Sequence, residues 1–271
     1  MDDATTRTYE SFGYEWNRFD SINAEDEQFW RRYVADLDLA DLNERTALDA
    51  GCGKARYSLF TARHVKTLVA LDGSDAVEAA QRNLTDVPNA TVVKADLRHA
   101  PFADATFGFV SCLGVLHHLA DPRQGFRALT RVLAPQGILL LYLYSRPDTP
   151  GLRATGLNAA AALRKITTRL PYPPLRVLCA PLAAVLYATV VVPGHVGAQR
   201  HIKTLARLPL TAYRGRPLRS LWLDTFDRLS APVEYRYIWR DIEPWFADEG
   251  LTVRAVRDEA GLFVVAQRPS T

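Results

Sequence analysis

Cysteine is scarce in this sequence, and its cysteines have no regular spacing. Cys52, Cys112 and Cys179 are the three among 271 residues. Three scattered cysteines exclude a disulfide framework and predict reduced, buried thiols in a cytoplasmic chain. No His/Cys group has metal-ligand spacing, so we expect no metal site. The start, Met1-Asp2-Asp3, lacks the basic and apolar run of a signal peptide, and none is expected.

Acidic residues are absent from a long central stretch. Residues 149 to 223 contain no Asp or Glu, but they contain eleven Lys and Arg residues. Because the whole chain carries only +3, the rest of it is net negative. Such an asymmetry marks a domain boundary. We therefore divide the chain into an amino-terminal arm and helix (1–44), an α/β domain (45–145 and 232–271) and a basic helical insert (146–231).

Apolar runs and helical patterns alternate through the α/β domain. The sequence predicts strands at 45–50, 67–72, 91–96, 107–115 and 138–144, and helices at 25–40, 55–64, 74–84, 121–134 and 240–250. Ser74 is the predicted N-cap of the 74–84 helix. Apolar strands with helices between them indicate a parallel sheet covered on both faces, as in doubly wound α/β folds. Two further strands, 251–257 and 261–268, are close enough in sequence to form an antiparallel hairpin.

The ends of three predicted strands carry the residues with the clearest chemical meaning. Gly51-Cys52-Gly53 follows the first strand, Asp72 ends the second, and Asp96 ends the third. Glycine lets a backbone approach a ligand closely, because no Cβ intervenes. The Asp72 carboxylate can accept hydrogen bonds from both hydroxyls of a ribose, and Asp96 is placed to meet an adenine. Because ligands of open α/β sheets lie beyond the carboxyl ends of the strands, these residues predict a pocket for an adenine nucleoside.

Together with the run GVLHHL (114–119), these residues resemble the class I S-adenosylmethionine-dependent methyltransferases, and among them the small-molecule group of ubiquinone and menaquinone biosynthesis. The resemblance extends over residues 45–145 and, more weakly, 232–267. It implies a Rossmann-like sheet of seven strands, six parallel and one antiparallel in an edge hairpin, with a helical cap inserted after the fifth strand. It also implies methyl transfer from S-adenosylmethionine to O, N or C of a small, apolar or lipid-linked metabolite.

The resemblance assigns the cofactor-binding residues as well. They are Asp49, Gly51 and Gly53 in the first loop, Asp72, Gly73 and Ser74 at the ribose, Asp96 and Leu97 at the adenine, and the Leu113 carbonyl at the methionine amino group. Arg56 is a candidate partner for the cofactor carboxylate. Where the family has a third glycine, this chain has Ala55. We expect Ala55 to keep an ordinary backbone dihedral, because alanine is disfavoured at positive φ.

Two other functions stay open. A dinucleotide site needs a third glycine at position 56, and the large Arg56 there argues against a nicotinamide-dependent oxidoreductase. A methyltransferase-like scaffold could also bind the cofactor and catalyse a rearrangement or cyclisation without methyl transfer.

Candidate catalytic and substrate residues follow from the chemistry of a sulfonium methyl, which needs an aligned nucleophile and a dry site. His117, just after the fourth strand, is the candidate base or substrate anchor, because an imidazole can take a proton near neutral pH. The alternative is a helix-start histidine bonded to backbone. Substrate candidates are His118, Tyr142, Tyr144, Tyr14 and Trp16. The last two belong to an aromatic arm, with Tyr9 and Phe12, that either folds over the cofactor or packs on the sheet edge.

The insert contains one almost wholly apolar run, 177–192. A bilayer span needs about twenty residues, and a single crossing would leave the return to the sheet on the wrong side, so we expect a buried or interfacial helix. The flanking arginines leave three interpretations: a cap over an apolar substrate cavity, docking on an anionic membrane, or a cap with solvated charges. A phosphate-bearing substrate or an acidic carrier protein also fits. Nucleic acid is not an expected partner, and the sequence does not decide the oligomeric state.

Overall fold

The structure, a computed structural model, describes residues 3–259 and 261–270. These residues fold into two compact units. The first unit runs to Arg146 and resumes at Val233, and the second unit is Pro147–Pro232.

The first unit is built on one seven-stranded sheet. Its strands are β1 (Thr46–Ala50), β2 (Thr67–Asp72), β3 (Ala90–Lys94), β4 (Phe107–Leu113), β5 (Leu133–Tyr144), β6 (Thr252–Asp258) and β7 (Gly261–Gln267), in the order β3-β2-β1-β4-β5-β7-β6. Strands β1 to β5 pair in parallel, β7 is antiparallel to β5, and β6 is antiparallel to β7. β6 therefore runs with the first five strands. The predicted α/β sheet with a hairpin at its edge is confirmed.

Helices account for most of the remaining chain. They are α1 (Asp3–Arg18), α2 (Ala24–Tyr33), α3 (Ser58–Thr61), α4 (Val77–Asn83), α5 (Pro122–Val132), α6 (Leu152–Thr167), α7 (Tyr172–Leu186), α8 (Val192–Gln199), α9 (Lys203–Ala206), α10 (Leu218–Ser230) and α11 (Trp239–Asp248). Short 3₁₀ turns occur at Leu39–Leu42, Ala62–His64, Leu97–His99, Leu116–His118 and Thr211–Tyr213.

Side chains of the sheet alternate between two apolar layers. On β5, Leu139 and Leu141 face one layer, while Ile138 and Leu140 face the other. The first layer is completed by α5 and α11, and the second by α2 through Trp30. A sheet that is apolar on both faces explains why its central strands read as continuous apolar runs.

Three helices of the first unit differ from the predicted ones. α2 ends at Tyr33 rather than at residue 40, and α3 begins at Ser58 rather than at residue 55. α4 begins at Val77, so the prediction of Ser74 as its N-cap is wrong. The Ser74 hydroxyl donates to the Asp72 carboxylate at 2.6 Å and accepts from the Ala76 N–H at 3.2 Å. It forms a turn before the helix and does not begin the helix.

The second unit consists of helices α6 to α10. α7 packs on α10, with Leu175, Cys179 and Ala183 almost fully buried. α7 continues through a π-helical segment, Tyr187–Val191, into α8. The result is a 28-residue helix, Tyr172–Gln199, which is the one helix of the described residues that is long and apolar enough to cross a membrane.

Candidate active site at the strand ends

The ends of β1, β2 and β3 are joined by backbone hydrogen bonds. The N–H groups of Gly51 and Cys52 both donate to the Leu71 carbonyl, at 2.7 and 2.9 Å. The Ala95 N–H donates to the Asp72 carbonyl at 3.0 Å. The strand ends that the sequence predicted to share one edge of the sheet are therefore adjacent.

The first loop depends on its two glycines. Gly51 has a φ of +83°, and a Cβ added there would lie 2.3 Å from a Val115 methyl carbon. Gly53 has a φ of +54°, and a Cβ there would lie 3.0 Å from the Trp16 indole nitrogen. Positive φ favours glycine, and the close neighbours leave no room for a side chain. The loop conformation explains why glycine is needed at both positions.

Ala55 departs from its predicted conformation. Its φ is +62°, in the left-handed region, although its methyl group is fully buried. The expectation of an ordinary dihedral is therefore wrong. The loop bends back at this residue, with the Ala55 N–H donating to the Cys52 carbonyl at 2.8 Å. The left-handed residue also explains the late start of α3.

We expect Ala55→Val to destabilise the protein strongly and Ala55→Gly to change its stability little. The glycine variant gains about 1–2 kcal/mol of stability because the left-handed strain is relieved. It loses a similar amount, because a buried methyl group is removed and the unfolded chain gains conformational entropy. Valine adds β-branching and overpacking, at a cost of about 3 kcal/mol. Urea unfolding of both variants measures the difference. Equal free energies of unfolding for the two variants would contradict this account of the loop.

Asp72 is held by the first loop and by its own turn. One carboxylate oxygen accepts from the Gly53 N–H at 2.9 Å, and the other accepts from the Ser74 N–H at 2.8 Å. Burial raises the pKa of Asp72, while these hydrogen bonds oppose the rise. The carboxylate is therefore fixed at the end of β2, beside the glycine loop.

Asp96 lies just beyond β3 and is paired with Arg98. The Arg98 guanidinium donates to both carboxylate oxygens, and the closest N···O distance is 2.7 Å. Partial burial opposes ionisation of the carboxylate. The hydrogen bonds and charge of Arg98 outweigh that effect and hold the pKa of Asp96 below its usual value. The neighbouring Leu97 is 3 % exposed and packs in the core.

Helix α1 lies on the same edge of the sheet, where the sequence predicted an aromatic arm. The Tyr9 ring packs against Gly73, where an added Cβ would be 2.5 Å from the ring carbon Cζ. The Tyr9 hydroxyl bonds to the Asp96 carboxylate, and burial together with that carboxylate raises the pKa of Tyr9. Of the two predicted substrate residues on α1, Trp16 contacts Gly53 and Tyr14 is partly buried. The sequence assigned no contact to Tyr9, because nothing in the sequence indicated that the arm was a helix.

Asp49 is a buried carboxylate in the interior of β1. It accepts hydrogen bonds from the Ser58 hydroxyl at 2.5 Å and from the Ser111 hydroxyl at 3.2 Å. Burial raises the pKa of Asp49 to about 6, despite these two bonds. Asp49 therefore ties β1 to α3 and β4, underneath the glycine loop.

Two basic residues of the loop contact α1, α2 and the segment between these helices. Arg56 lies 3.6 Å from the Asp26 carboxylate and over the Trp16 ring, 4.8 Å from its centroid. Lys54, which the sequence analysis did not single out, is buried and donates to the Phe19 carbonyl at 3.0 Å. The predicted contact of Arg56 with a cofactor carboxylate stays a prediction, and in this structure the guanidinium contacts Asp26.

His117 is completely buried after β4. Its Nδ1 accepts the Tyr144 N–H at 3.4 Å, and its ring lies 3.9 Å from the Tyr144 ring centroid. Burial, followed by the charges of His118 and Arg236, lowers the pKa of His117 well below 6.5. Because Nδ1 accepts, the proton of the neutral ring is on Nε2, and Nε2 has no hydrogen-bond partner among the described residues. A buried polar donor without a partner is unusual in a folded protein.

The other candidate substrate residues lie around His117. His118 Nδ1 bonds to the Val233 carbonyl at 2.7 Å, so this histidine has a structural role as well. Tyr142 and Tyr144 share one face of β5, as the sequence predicted. Tyr142 packs 4.8 Å from the Phe263 ring, while Leu113 ends β4 opposite Tyr142. No contact here tests the predicted roles of these residues, which stay predictions.

Part of the chain is similar to known proteins. Residues 48–141 match the family model described as a methyltransferase domain. A demethylmenaquinone methyltransferase of Staphylococcus saprophyticus is 28 % identical over 136 residues, which is 48 % of this chain and 57 % of that protein. A ubiquinone/menaquinone biosynthesis C-methyltransferase of Haemophilus ducreyi is 29 % identical over 44 % of this chain and 49 % of that protein. The chain thus spans about half the length of the curated relatives it matches.

Solved structures share the fold over a larger part of the chain. A putative methyltransferase of Bacillus halodurans superposes with a TM-score of 0.56 at 13 % identity, over 88 % of this chain and 98 % of that one. The magnesium protoporphyrin IX methyltransferase of Synechocystis, solved with S-adenosylhomocysteine, superposes with a TM-score of 0.53 at 16 % identity, over 98 % and 100 % of the two chains. At these identities the likeness shows the fold alone.

The comparisons confirm the Rossmann-like fold and the resemblance to methyltransferases that the sequence predicted. The matched family model and these relatives are named as methyltransferases, and none of them is named as an oxidoreductase. Membrane contact and oligomeric state are not shown.

Proposed function

We propose that this chain, whose residues 48–141 belong to the methyltransferase domain family, transfers the methyl group of S-adenosylmethionine to a small, apolar or lipid-linked acceptor. The observation that carries the proposal is the meeting of a glycine loop and two carboxylates at adjacent strand ends of that domain. The relatives named for menaquinone and ubiquinone biosynthesis support an acceptor of the quinone type.

The residues at the strand ends fit this cofactor. Asp72 has its carboxylate fixed at the end of β2, where it can accept the ribose hydroxyls. Asp96 and the Leu97 backbone would hold the adenine, and the Gly51–Gly53 loop with the Leu113 carbonyl would hold the methionine part. The flat Tyr9 ring, which packs on Gly73 and bonds to Asp96, supports a site for a planar group at this edge. When bound, the cofactor supplies a methyl group on a positively charged sulfur, which a carbon, oxygen or nitrogen nucleophile can attack.

The geometry favours His117 as an anchor over His117 as a base. Nδ1 already accepts a backbone N–H, so a proton taken from the acceptor would have to produce an imidazolium. Burial and the neighbouring charge of Arg236 disfavour that cation. The unpartnered Nε2–H can instead donate a hydrogen bond to an oxygen of the acceptor. We therefore assign His117 the role of orienting the acceptor.

Tyr9→Phe is expected to tighten binding of S-adenosylhomocysteine about fivefold. The Tyr9 hydroxyl occupies the Asp96 carboxylate, and the adenine can use that acceptor only after this hydrogen bond breaks. A hydrogen bond to a charged group contributes about 1.5–3 kcal/mol, and water replaces part of it. Isothermal titration calorimetry measures the change, with Tyr235→Phe as a control at an exposed tyrosine. Weaker binding of S-adenosylhomocysteine by Tyr9→Phe would contradict this, because it would show that the Tyr9 hydroxyl contributes to binding.

The test of methyl transfer is acceptor-dependent release of S-adenosylhomocysteine. The purified chain is incubated with S-adenosylmethionine and reduced prenylated demethylquinones, and the product is identified by mass spectrometry. We expect release only with an acceptor, and a product heavier by one methyl group. No methylated product with any acceptor, although the cofactor binds, would overturn the proposed acceptor class. Failure to bind the cofactor would overturn the proposal as a whole.

A further inference from the structure

The long helix Tyr172–Gln199 of the second unit has an uncharged outer face. The helix contains no Asp, Glu, Lys or Arg after Arg176. One side is buried within the unit, through Leu175, Cys179 and Ala183. The other side is exposed and apolar, and comprises Val177 (63 % exposed), Leu178 (58 %), Leu182 (39 %), Val185 (59 %) and Val192 (43 %). A surface helix ordinarily carries polar residues at such positions, so this face is suited to an apolar environment.

Helix α6 and the turn after it add further apolar surface. Leu163 and Ile166 are exposed three residues apart, on one side of α6, and Leu170 is exposed in the turn after it. Ile166 is 65 % exposed. Soluble proteins rarely expose this many large apolar side chains in neighbouring helices without a partner for them. We call the exposed residues of both helices the apolar face.

Exposed basic residues precede and follow the long helix along the chain. Lys165 and Arg169 are exposed in and after α6, and Arg200, Lys203 and Arg207 are exposed beyond the end of α8. Within the described part of the chain, none of these five forms an ion pair with a carboxylate. The sequence from 149 to 223 contains no acidic residue that could neutralise them. The charge therefore remains available to an anionic surface.

We propose that the apolar face and its basic flanks dock the chain on an anionic lipid surface, with the long helix lying along the interface. Apolar side chains enter the boundary between headgroups and acyl chains, and the basic side chains contact lipid phosphates. Each exposed Lys or Arg near such a surface strengthens binding about fivefold. The charge on the flanks identifies the occupant as an anionic bilayer.

A helix along the surface agrees better with the topology than a helix through the bilayer. The chain leaves the sheet at β5 and returns to pair with it again at β7, next to β5. At the two junctions of the second unit, the Arg146 N–H donates to the Tyr237 carbonyl at 3.1 Å. Both ends of the second unit therefore lie on the same side of any membrane. One helix that crossed the bilayer would separate them.

A second copy of the chain fits the apolar face less well than an anionic bilayer does. In a symmetric dimer the basic flanks would face each other, with no acidic residue between 149 and 223 to pair with them. Docking does not depend on methyl transfer, although it would bring the chain to a membrane, where a lipid-linked acceptor would reside. The test therefore measures docking alone, and its failure would leave the proposed function untouched.

Vesicle co-sedimentation tests the proposal with the full chain. Vesicles of equal parts phosphatidylglycerol and phosphatidylcholine are compared with pure phosphatidylcholine vesicles, at low and high salt. We expect binding to the anionic vesicles at low salt, and binding weakened by high salt or by neutral lipid. The double variant Leu178→Asp/Val185→Asp should lose at least tenfold in partitioning, because charge is costly in an apolar interface. Lys165→Glu/Arg169→Glu should lose about 25-fold or more, from two charges at about fivefold each.

Matched controls separate this face from the rest of the surface. Val256→Asp changes another exposed apolar residue, on β6, and Lys66→Glu/Arg240→Glu reverses two exposed charges of the first unit. Both controls should bind vesicles as the wild type does. Thermal unfolding and calorimetric cofactor titration check that each variant is folded. The proposal is overturned if the wild type ignores anionic vesicles at low salt. It is also overturned if Leu178→Asp/Val185→Asp binds them normally, or if sedimentation equilibrium shows that this variant only dissociates a dimer.

Discussion

Asp72→Asn is expected to weaken binding of S-adenosylmethionine and S-adenosylhomocysteine by about 100-fold or more. The carboxylate is fixed beside the glycine loop by the Gly53 and Ser74 N–H groups. Two ribose hydroxyls donating to it would each contribute about 1.5–3 kcal/mol, and about 1.4 kcal/mol corresponds to a tenfold change in affinity. An asparagine offers one acceptor oxygen and no charge. Isothermal titration calorimetry measures the loss directly.

Stability must be separated from binding in this experiment. Asparagine cannot accept from all the donors that now reach Asp72, and an unpaired buried donor costs about 1–3 kcal/mol of folding free energy. Urea unfolding of Asp72→Asn reports that cost. Asp86→Asn, at an exposed position, is the matched control and should bind and unfold as the wild type does. A folded Asp72→Asn variant with wild-type affinity would remove Asp72 from the cofactor site.

His117→Phe is expected to lower kcat/KM for the acceptor by about 10- to 100-fold, because one buried hydrogen bond to the acceptor is lost. Cofactor affinity should stay unchanged, since His117 is assigned to the acceptor. His117→Gln keeps an N–H donor and should recover part of the activity. His201→Phe changes an exposed histidine of the second unit and is the matched control. A glutamine variant as inactive as the phenylalanine variant would contradict the donor role.

The pH dependence of turnover distinguishes an anchor from a base. The pKa of His117 is held well below 6.5, so its imidazole is neutral through the neutral range. We expect no inflection in kcat from His117 between about pH 6 and 8. His117→Gln should therefore have a profile of the same shape as the wild type. An inflection in this range that His117→Gln abolishes would restore the base role.

The sheet and the edge that carries the site could be predicted from the sequence, because both depend on local patterns. The continuous apolar runs predicted the parallel strands. Residues at the carboxyl ends of parallel strands lie along the same edge of the sheet. Asp72 is adjacent to the glycine loop, and Asp96 follows the neighbouring strand, as those rules require. The resemblance added the edge hairpin and the identity of the cofactor.

The conformations that tertiary contacts select could not be predicted in this way. Ala55 takes a left-handed dihedral because the loop bends back and the Ala55 N–H donates to the Cys52 carbonyl. The backbone preference of alanine alone does not include that hydrogen bond. Ser74 forms a turn with Asp72 instead of capping α4, since the carboxylate competes for its hydroxyl. Arg56 lies beside Asp26, whose proximity depends on the path of the chain between α1 and α2. Each difference between the prediction and the structure arises from a contact with a residue distant in sequence or from a nearby group that competes for the same hydrogen bond.

Calorimetric titration of the purified chain with S-adenosylhomocysteine tests the central claim most directly. The claim is that the ends of β1, β2 and β3 form one site for this adenosyl cofactor. We expect a single saturable site per chain, and no binding of NAD under the same conditions. Absence of binding by a folded chain, or binding that Asp72→Asn leaves unchanged, would contradict the account.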